Sequence, residues 1–242
     1  MSDTPAYSLR ALARMLTYPD AALRELVPDL QKVLLSESAL SPDRLRGLSM
    51  LLGAMVDQDI IDTEQGYVDL FDRGRATSLH LFEHVHGDSR DRGPAMIDLI
   101  QTYEQAGLLL GPDELPDHLS VVLEFASTQP PESARAFLGE FAHLLQAIRE
   151  SLLRRRSDYA ELLGALLDLA QIDPATLTSA KPAAPEPSLD ESWAEPEVFA
   201  DYHRAYAAHL GIGHRVLFTG FLRGKDVDRV YRMANCYVMP SV

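Results

Sequence analysis

The sequence predicts an all-α fold for its first 172 residues, and three observations support this. Apolar residues recur three and four positions apart, as they do on one face of a helix. Proline, glycine and capping residues stand where such stretches begin and end. Valine and isoleucine are sparse, and no alternating strand pattern occurs before Asp173. We therefore expect one multi-helix domain over residues 1–172, without a fixed repeat period.

Three helices are expected in the N-terminal part of the chain. The first ends before Pro19 and carries one apolar stripe, formed by Leu9, Leu12, Ala13 and Leu16. Asp20 is the predicted N-cap of a second helix, Ala21 to Leu35, which Pro28 should kink or divide. Ser41 followed by Pro42 predicts the start of a third, because proline suits the first helical position.

Six further helices are expected, with bounds taken from capping residues, prolines and glycines. They are Asp62 to Asp72, opened by a capping box with Gln65; Thr77 to Val85; Pro94 to Glu104, stopped by Gly107; Pro116 to Phe125; Glu132 to Leu153; and Asp158 to Ala170.

The composition changes after residue 172. Residues 173–197 contain five prolines, small residues and carboxylates, which is typical of a linker or an extended tail. Residues 198–242 predict a helix, Val198 to Leu210, closed by Gly211, and then a short α/β appendage. The predicted strand, helix and strand of this appendage are Arg215 to Thr219, Lys225 to Ala234 and Cys236 to Met239.

The charge and the cysteine content restrict the function. The net charge of −14 argues against a nucleic-acid binder, which would normally show a basic face. Six basic and three acidic residues follow residue 197, so residues 198–242 carry +3 and residues 1–197 carry −17. One cysteine, no signal-peptide pattern and no apolar run of about 20 residues predict a cytoplasmic protein without membrane insertion.

The stretch from Tyr67 to Leu119 mixes charged and aromatic residues and holds four of the eight histidines. Three motifs lie in it. The first begins at Tyr67 and reads Y-V-D-L-F-D-R-G-R, and the second begins at Ser78 and reads S-L-H-L-F-E-H-V-H-G-D-S-R-D-R-G-P. The third begins at Glu114 and reads E-L-P-D-H-L. Such a mixture is unlike a purely solvated face or a pure core face, so we expect the functional site here.

With these three motifs in this order, residues 7–199 resemble the nitrate reductase assembly chaperones, the NarJ subfamily of the TorD-like redox-enzyme chaperones. The resemblance implies an all-helical cytoplasmic chaperone without catalytic activity or a cofactor of its own. Its implied partner is the N-terminal segment of the catalytic (alpha) subunit of nitrate reductase. The chaperone would hold that subunit ready for molybdenum cofactor insertion and membrane docking. Molybdenum cofactor delivery proteins are further candidate partners.

A client peptide of this kind is basic and partly apolar, and it would bind as an amphipathic helix in a groove. The predicted peptide-binding residues are Tyr67, Asp69, Leu70, Phe71, Asp72, Glu83, Glu114, Asp117 and His118. Core packing remains an alternative for the two aromatic residues, as helix capping does for Asp117. For Arg73, Arg75, Arg90 and Arg92 we expect pairing with local carboxylates.

Two alternative functions compete with the chaperone. His80, His84 and His86 could bind a metal ion, because the first two lie one helical turn apart, although hydrogen bonding within a polar network is favoured. Residues 198–242 resemble a fragment of the C-terminal domain of a GT-B glycosyltransferase. The fragment is too short to bury both faces of a parallel sheet, so we expect no transferase activity. Residues after Phe199 should be poorly packed and dispensable.

Overall fold

The structure is a computed structural model that describes residues 5–86, 91–112, 114–177 and 204–216. Ten α-helices occur in the first three of these ranges. In chain order they are α1 Ala6–Met15, α2 Ala21–Glu37, α3 Pro42–Asp57, α4 Ile60–Tyr67, α5 Leu81–His86, α6 Arg92–Gln105, α7 Leu119–Thr128, α8 Pro131–Glu140, α9 Ala142–Arg154 and α10 Tyr159–Leu169. A π-helical turn, Val68–Asp72, extends α4, a 3-10 turn covers Arg75–Thr77, and residues 204–209 form a further short helix. The predicted all-α class is therefore confirmed.

The core is built from the apolar stripes that the sequence shows. Helix α1 packs along α7, and α9 packs along α10, while α2 and α3 lie against α1 and α10 respectively. Leu9, Leu12 and Leu16 are fully buried, as predicted for the first stripe. The cluster they join continues through the inward faces of α7, α9 and α10. The motif-bearing segments, residues 67–86 and 114–119, also contribute buried residues to this cluster.

Two predicted helix starts are confirmed in atomic detail. The Asp20 carboxylate accepts the Leu23 amide (2.8 Å), and the Ser41 hydroxyl accepts the Arg44 amide (3.3 Å). Helix α2 runs through Pro28 undivided, so of the two predicted effects, a kink or a division, the division is wrong. Pro28 faces solvent, where water can bond to the carbonyl that the proline leaves unpaired.

Two other helix predictions need correction. Asp59, not Asp62, caps α4, because its carboxylate accepts the Ile61 amide at 2.8 Å. The long helix expected from Glu132 to Leu153 is two helices, α8 and α9. They separate at Phe141, where ψ is 0° and the ring packs between Phe137 and Phe82. The apolar period continues across this break, so the sequence pattern does not reveal it.

One backbone pairing moves two helix starts. His80 and His118 form an isolated antiparallel bridge, and the Leu119 amide donates to the Leu79 carbonyl at 2.9 Å. This pairing keeps residues around 79 and 118 extended. Helix α5 consequently begins at Leu81 rather than at residue 77, and α7 begins after His118 rather than at residue 116.

The described part of the C-terminal region is a short helix that docks on α6. The Tyr206 ring packs against the apolar pair Met96 and Ile100, and Ala207 is 6% exposed. Gly211 follows the helix at φ +70°, in agreement with the predicted stop. Gly213–Arg215 form a 3-10 turn, so the strand predicted from residue 215 does not begin there. The rest of the predicted appendage and most of the linker lie outside the described residues.

Candidate functional site

Asp117 is the centre of a buried polar network in the stretch that the sequence singles out. Its side chain is 0% exposed. Oδ2 accepts the Phe82 amide at 3.2 Å and the Arg92 guanidinium at 3.1 Å, while Oδ1 lies 3.4 Å from Nδ1 of His80. The Asp117 carbonyl also accepts the Leu81 amide at 3.0 Å. Asp117 therefore caps the N-terminus of α5, a helix 35 residues away, instead of the helix that follows it.

The charges of this network are held in low-dielectric surroundings. Burial alone would raise the pKa of Asp117, but the hydrogen bond and charge of His80, followed by the charge of Arg92, lower it below its ordinary value. Arg92 is 1% exposed, and its second guanidinium nitrogen lies 3.4 Å from the Glu83 carboxylate. The network thus joins α5, α6 and the segment before α7 through an ion pair with almost no solvent access.

The histidines beside the network are mainly structural. Burial, followed by the charge of His80, lowers the pKa of His118 to about 4, so the ring is neutral at pH 7. Its Nδ1 lies 2.7 Å from the Ser120 hydroxyl and accepts the Ser120 amide, which makes His118 the N-cap of α7. Burial also lowers the pKa of His84, whose Nε2 donates to the Ser78 carbonyl at 2.8 Å.

The first motif places its aromatic residues in the core. The Tyr67 hydroxyl donates to the Leu16 carbonyl at 2.7 Å, and burial raises the pKa of this tyrosine. Phe71 lies between Tyr67 and Tyr159, with ring centroids 4.9 and 4.8 Å away. Both motif aromatics are buried, so the core-packing alternative is the one observed.

The polar residues of the same motif face outward from the π-helical turn. Asp69 pairs with Arg73 at 2.8 Å, and Asp72 is exposed at the end of the turn. Arg155, from the end of α9, donates to the carbonyls of Asp69 (3.1 Å) and Leu70 (3.5 Å) and thereby fixes the turn. Beside this turn lies a cavity of about 250 Å³ whose lining includes Tyr67 and Leu70. We call it the Tyr67 pocket.

A second, larger groove lies elsewhere. It has a volume of about 380 Å³ and is lined by residues of α1, α6, α7 and the segment between α6 and α7. They are Arg10, Tyr103, Leu108, Leu109, Leu110, Glu114, Val121, Glu124, Phe125, Ser127 and Thr128. We call it the α7 groove. Most of this lining is apolar, and it also includes two carboxylates, Glu114 and Glu124.

The comparisons with known proteins agree on one family. Residues 16–164 match the family model described as nitrate reductase delta subunit. This chain belongs to the nitrate reductase delta subunit family.

Relatives of this family cover most of the chain. The nitrate reductase molybdenum cofactor assembly chaperone NarJ of Escherichia coli K12 is 40% identical over 199 residues, 78% of this chain and 84% of the relative. The probable chaperone NarW of the same organism is 36% identical over 162 residues, 67% of each chain. The probable NarJ of Bacillus subtilis 168 is 34% identical over 158 residues, 65% of this chain and 84% of the relative.

The delta subunit family match, from the end of α1 into α10, includes all nine residues predicted to contact a peptide. The structure divides them among three places. Glu83 and Asp117 belong to the buried network, and His118 lies beside it; Tyr67, Asp69, Leu70, Phe71 and Asp72 form the first-motif region; and Glu114 lies at the α7 groove. Peptide contact itself stays a prediction for all of them.

The predicted pairing of arginines with nearby carboxylates is confirmed for two residues. Arg73 pairs with Asp69, and Arg92 pairs with Asp117 and Glu83. Arg90 lies outside the described residues. Glu124 of the α7 groove lies outside the three motifs and was not among the predicted contact residues. Its only local mark in the sequence is that it is a lone carboxylate within the apolar run L-S-V-V-L-E-F-A of α7.

The histidine alternative finds no support in the part of the chain that the structure describes. No three histidine, cysteine or carboxylate side chains converge there in a way that could hold a metal ion. Instead, the His80 ring nitrogen contacts the Asp117 carboxylate, and His84 donates to the Ser78 carbonyl. Among the same described residues, no helix is both long and apolar enough to cross a bilayer.

Proposed function

We propose that this protein is an assembly chaperone for nitrate reductase. It binds the N-terminal segment of the catalytic subunit and holds that subunit ready for molybdenum cofactor insertion and membrane docking, without catalysing a reaction. The observation that carries the proposal is the 40% identity to a NarJ chaperone over 84% of that protein's length. Action in the cytoplasm and contact with cofactor delivery proteins belong to the same proposal.

The charge of the protein supports a basic peptide as the client. Residues 1–197 carry −17, so a basic segment is attracted over a distance comparable to the Debye length, about 8 Å at physiological salt. Of the predicted contact residues, Asp72 and Glu114 are exposed, and Asp69, Leu70, Glu83 and His118 are partly exposed. Those six reach the surface, whereas Tyr67, Phe71 and Asp117 are buried.

Calorimetric titration of the full chain tests the proposal. The titrant is a peptide matching the N-terminus of the cognate catalytic subunit, and a scrambled peptide of the same composition is the control. We expect one-to-one binding of the native peptide that weakens with salt, and at least tenfold weaker binding of the scrambled one. Equal binding of both peptides, or of neither, contradicts the proposal.

A cellular measurement tests the assembly role separately. In cells lacking this protein, the nitrate reductase catalytic subunit should accumulate without molybdenum cofactor, and the wild-type gene should restore the loading. Cofactor loading that is normal without the protein contradicts the role in assembly, even if the peptide binds in vitro.

A further inference from the structure

The α7 groove has the surface properties of a docking site. Leu109 at its edge is 85% exposed, and Val121 and Phe125 line the groove below it. An exposed leucine adjoining an apolar cavity is a surface that a partner can cover with a gain in free energy. The volume of about 380 Å³ suits one or two large apolar side chains better than an extended cofactor.

The shape of this groove is fixed by the fold. Helix α6 ends at a Schellman motif, in which Gly107 has φ +80° and the Leu108 amide donates to the Tyr103 carbonyl at 3.0 Å. The Tyr103 hydroxyl donates to the Pro116 carbonyl at 2.8 Å, and its ring packs on Phe125 at 4.7 Å. The groove is therefore formed before any ligand arrives, which lowers the entropy cost of binding.

Two carboxylates at the groove have no ion-pair partner among the described residues. Glu124 and Glu114 form no ion pair with any residue that the structure describes, and Glu114 accepts only the Gly111 amide, at 2.8 Å. Burial, followed by the charge of Glu114, raises the pKa of Glu124, while Arg10 opposes this. Arg10, which donates to the Ser127 hydroxyl, is the one basic residue of the groove lining. Against the two carboxylates, this leaves the lining with an excess of one negative charge. A ligand cation would relieve this repulsion.

We propose that the α7 groove binds an amphipathic helical segment of the client peptide through one bulky apolar side chain and a neighbouring basic one. The apolar side chain contacts Leu109, Val121 and Phe125, and the basic group pairs with Glu124 and Glu114. This inference rests on the proposed chaperone function and assigns the peptide to a surface other than the Tyr67 pocket. The excess negative charge beside an apolar floor is what selects a basic, apolar peptide.

The test is calorimetric titration of full-length variants with the peptide described above. Glu124→Gln keeps the side-chain shape and removes the charge, and Leu109→Ser changes a residue that is 85% exposed. Each variant should weaken binding about tenfold, the loss expected for one charge-assisted contact or one buried anchor. The salt dependence should also be shallower for Glu124→Gln. The matched controls Glu25→Gln and Leu35→Ser, exposed on α2, should bind like the wild type.

A charge exchange sharpens the assignment. Glu124→Lys should abolish binding of the native peptide and restore binding of a peptide whose basic anchor is replaced by glutamate. The variants Asp62→Asn and Leu70→Ser report on the Tyr67 pocket, because both residues line it.

The possible outcomes separate the two proposals. If the wild type does not bind the peptide, the chaperone function as proposed fails. If the wild type binds and both groove variants bind equally well, the groove assignment is overturned while the function stands. That holds whether or not the Tyr67 pocket variants weaken binding.

Discussion

At the scale of single residues, the buried pair of Asp117 and Arg92 is the most consequential contact. Both side chains are almost fully removed from water, 3.1 Å apart, and a backbone amide of α5 completes the carboxylate's bonding. A buried ion pair contributes little compared with an apolar pair of the same volume, but removing one partner leaves an uncompensated charge. The network therefore acts chiefly to fix the relative positions of α5, α6 and α7.

Removing both partners together should cost less than the sum of the two single removals. We expect Asp117→Ala to reduce the free energy of unfolding by about 3–5 kcal/mol, because Arg92 remains charged and buried. The double variant Asp117→Leu, Arg92→Met should lose less than the sum of the two single changes. Urea denaturation measures both quantities.

The exposed pair of Asp69 and Arg73 is the control for this experiment. Asp69→Ala should cost at most about 0.5 kcal/mol, because that ion pair is four residues apart on a solvated surface. If Asp117→Ala costs no more than Asp69→Ala, the buried network does not hold the three helices together.

His118 should make the stability depend on pH in a defined window. Its pKa is about 4 in the folded protein and about 6.5 when unfolded, so the unfolded chain takes up the proton first as the pH falls. The contribution of neutral His118 to the free energy of unfolding is complete above pH 6.5. It is lost as the pH falls from 6.5 to 4, by roughly 3 kcal/mol in total. His118→Asn keeps an N-cap and removes the titration, so its unfolding free energy should fall less over this window.

Asp117 contributes outside that window. Its lowered pKa gives stability that is present above about pH 3.9 and is lost only as the pH falls below this value. If the free energy of unfolding changes equally with pH in the wild type and in His118→Asn between pH 6.5 and 4, His118 is not held neutral in the folded protein.

The sequence indicated a region in which to expect the site, but not the atomic arrangement found there. The mixture of charge and aromatic residues between 67 and 119 marked the region, and pairing of Arg73 and Arg92 with carboxylates is confirmed. The burial of Asp117 under α5 was not predictable, because its partners are 25 to 37 residues away in sequence. No local pattern encodes a contact of that separation.

At the scale of the elements, the π-helical turn of the first motif is held from two sides. Arg155 binds its carbonyls from outside, and the Thr77 hydroxyl donates to the Leu70 carbonyl. Gly74 lies between them, where a Cβ atom would meet the Leu70 carbonyl oxygen at 2.6 Å. Because that oxygen is backbone, it cannot move away without disturbing the turn.

Gly74→Ala should therefore destabilise the protein by about 1–3 kcal/mol, the usual cost of overpacking. Hydrogen exchange should locate the loss in residues 68–77. Gly53→Ala is the control, since nothing lies within 4 Å of its added Cβ inside α3 and alanine is the better helix former. It should stabilise the protein by about 0.5–1 kcal/mol. If the two alanine variants behave alike, the turn has more room than these contacts indicate.

Helix identity was predictable, whereas helix ends that depend on tertiary contacts were not. Caps such as Asp20 and Ser41 act within three residues, so the sequence reveals them. The starts of α5 and α7 depend on the pairing of His80 with His118, across 38 residues. A local pattern carries no signal for such a pairing, so both predicted starts were a few residues early.

At the scale of the whole molecule, the short helix of residues 204–209 attaches to an acidic helical domain. Tyr206 covers Met96 and Ile100, and His209 lies 3.7 Å from the Glu104 carboxylate on α6. Leu110 packs against the same apolar cluster and also lines the α7 groove. The other described residues of this region are mostly exposed, so one helix face carries the attachment.

Ala207→Asp in the full chain should detach this helix, because it introduces a charge at a buried position of the contact. We expect the free energy of unfolding to fall by only about 1–2 kcal/mol, since little apolar area joins the helix to α6. Limited proteolysis should cut residues 204–216 faster than in the wild type. Ala208→Asp, exposed on the same helix, is the control and should change neither quantity. A loss of several kcal/mol with one cooperative transition would instead make the C-terminal region part of the domain's core and would contradict its predicted dispensability.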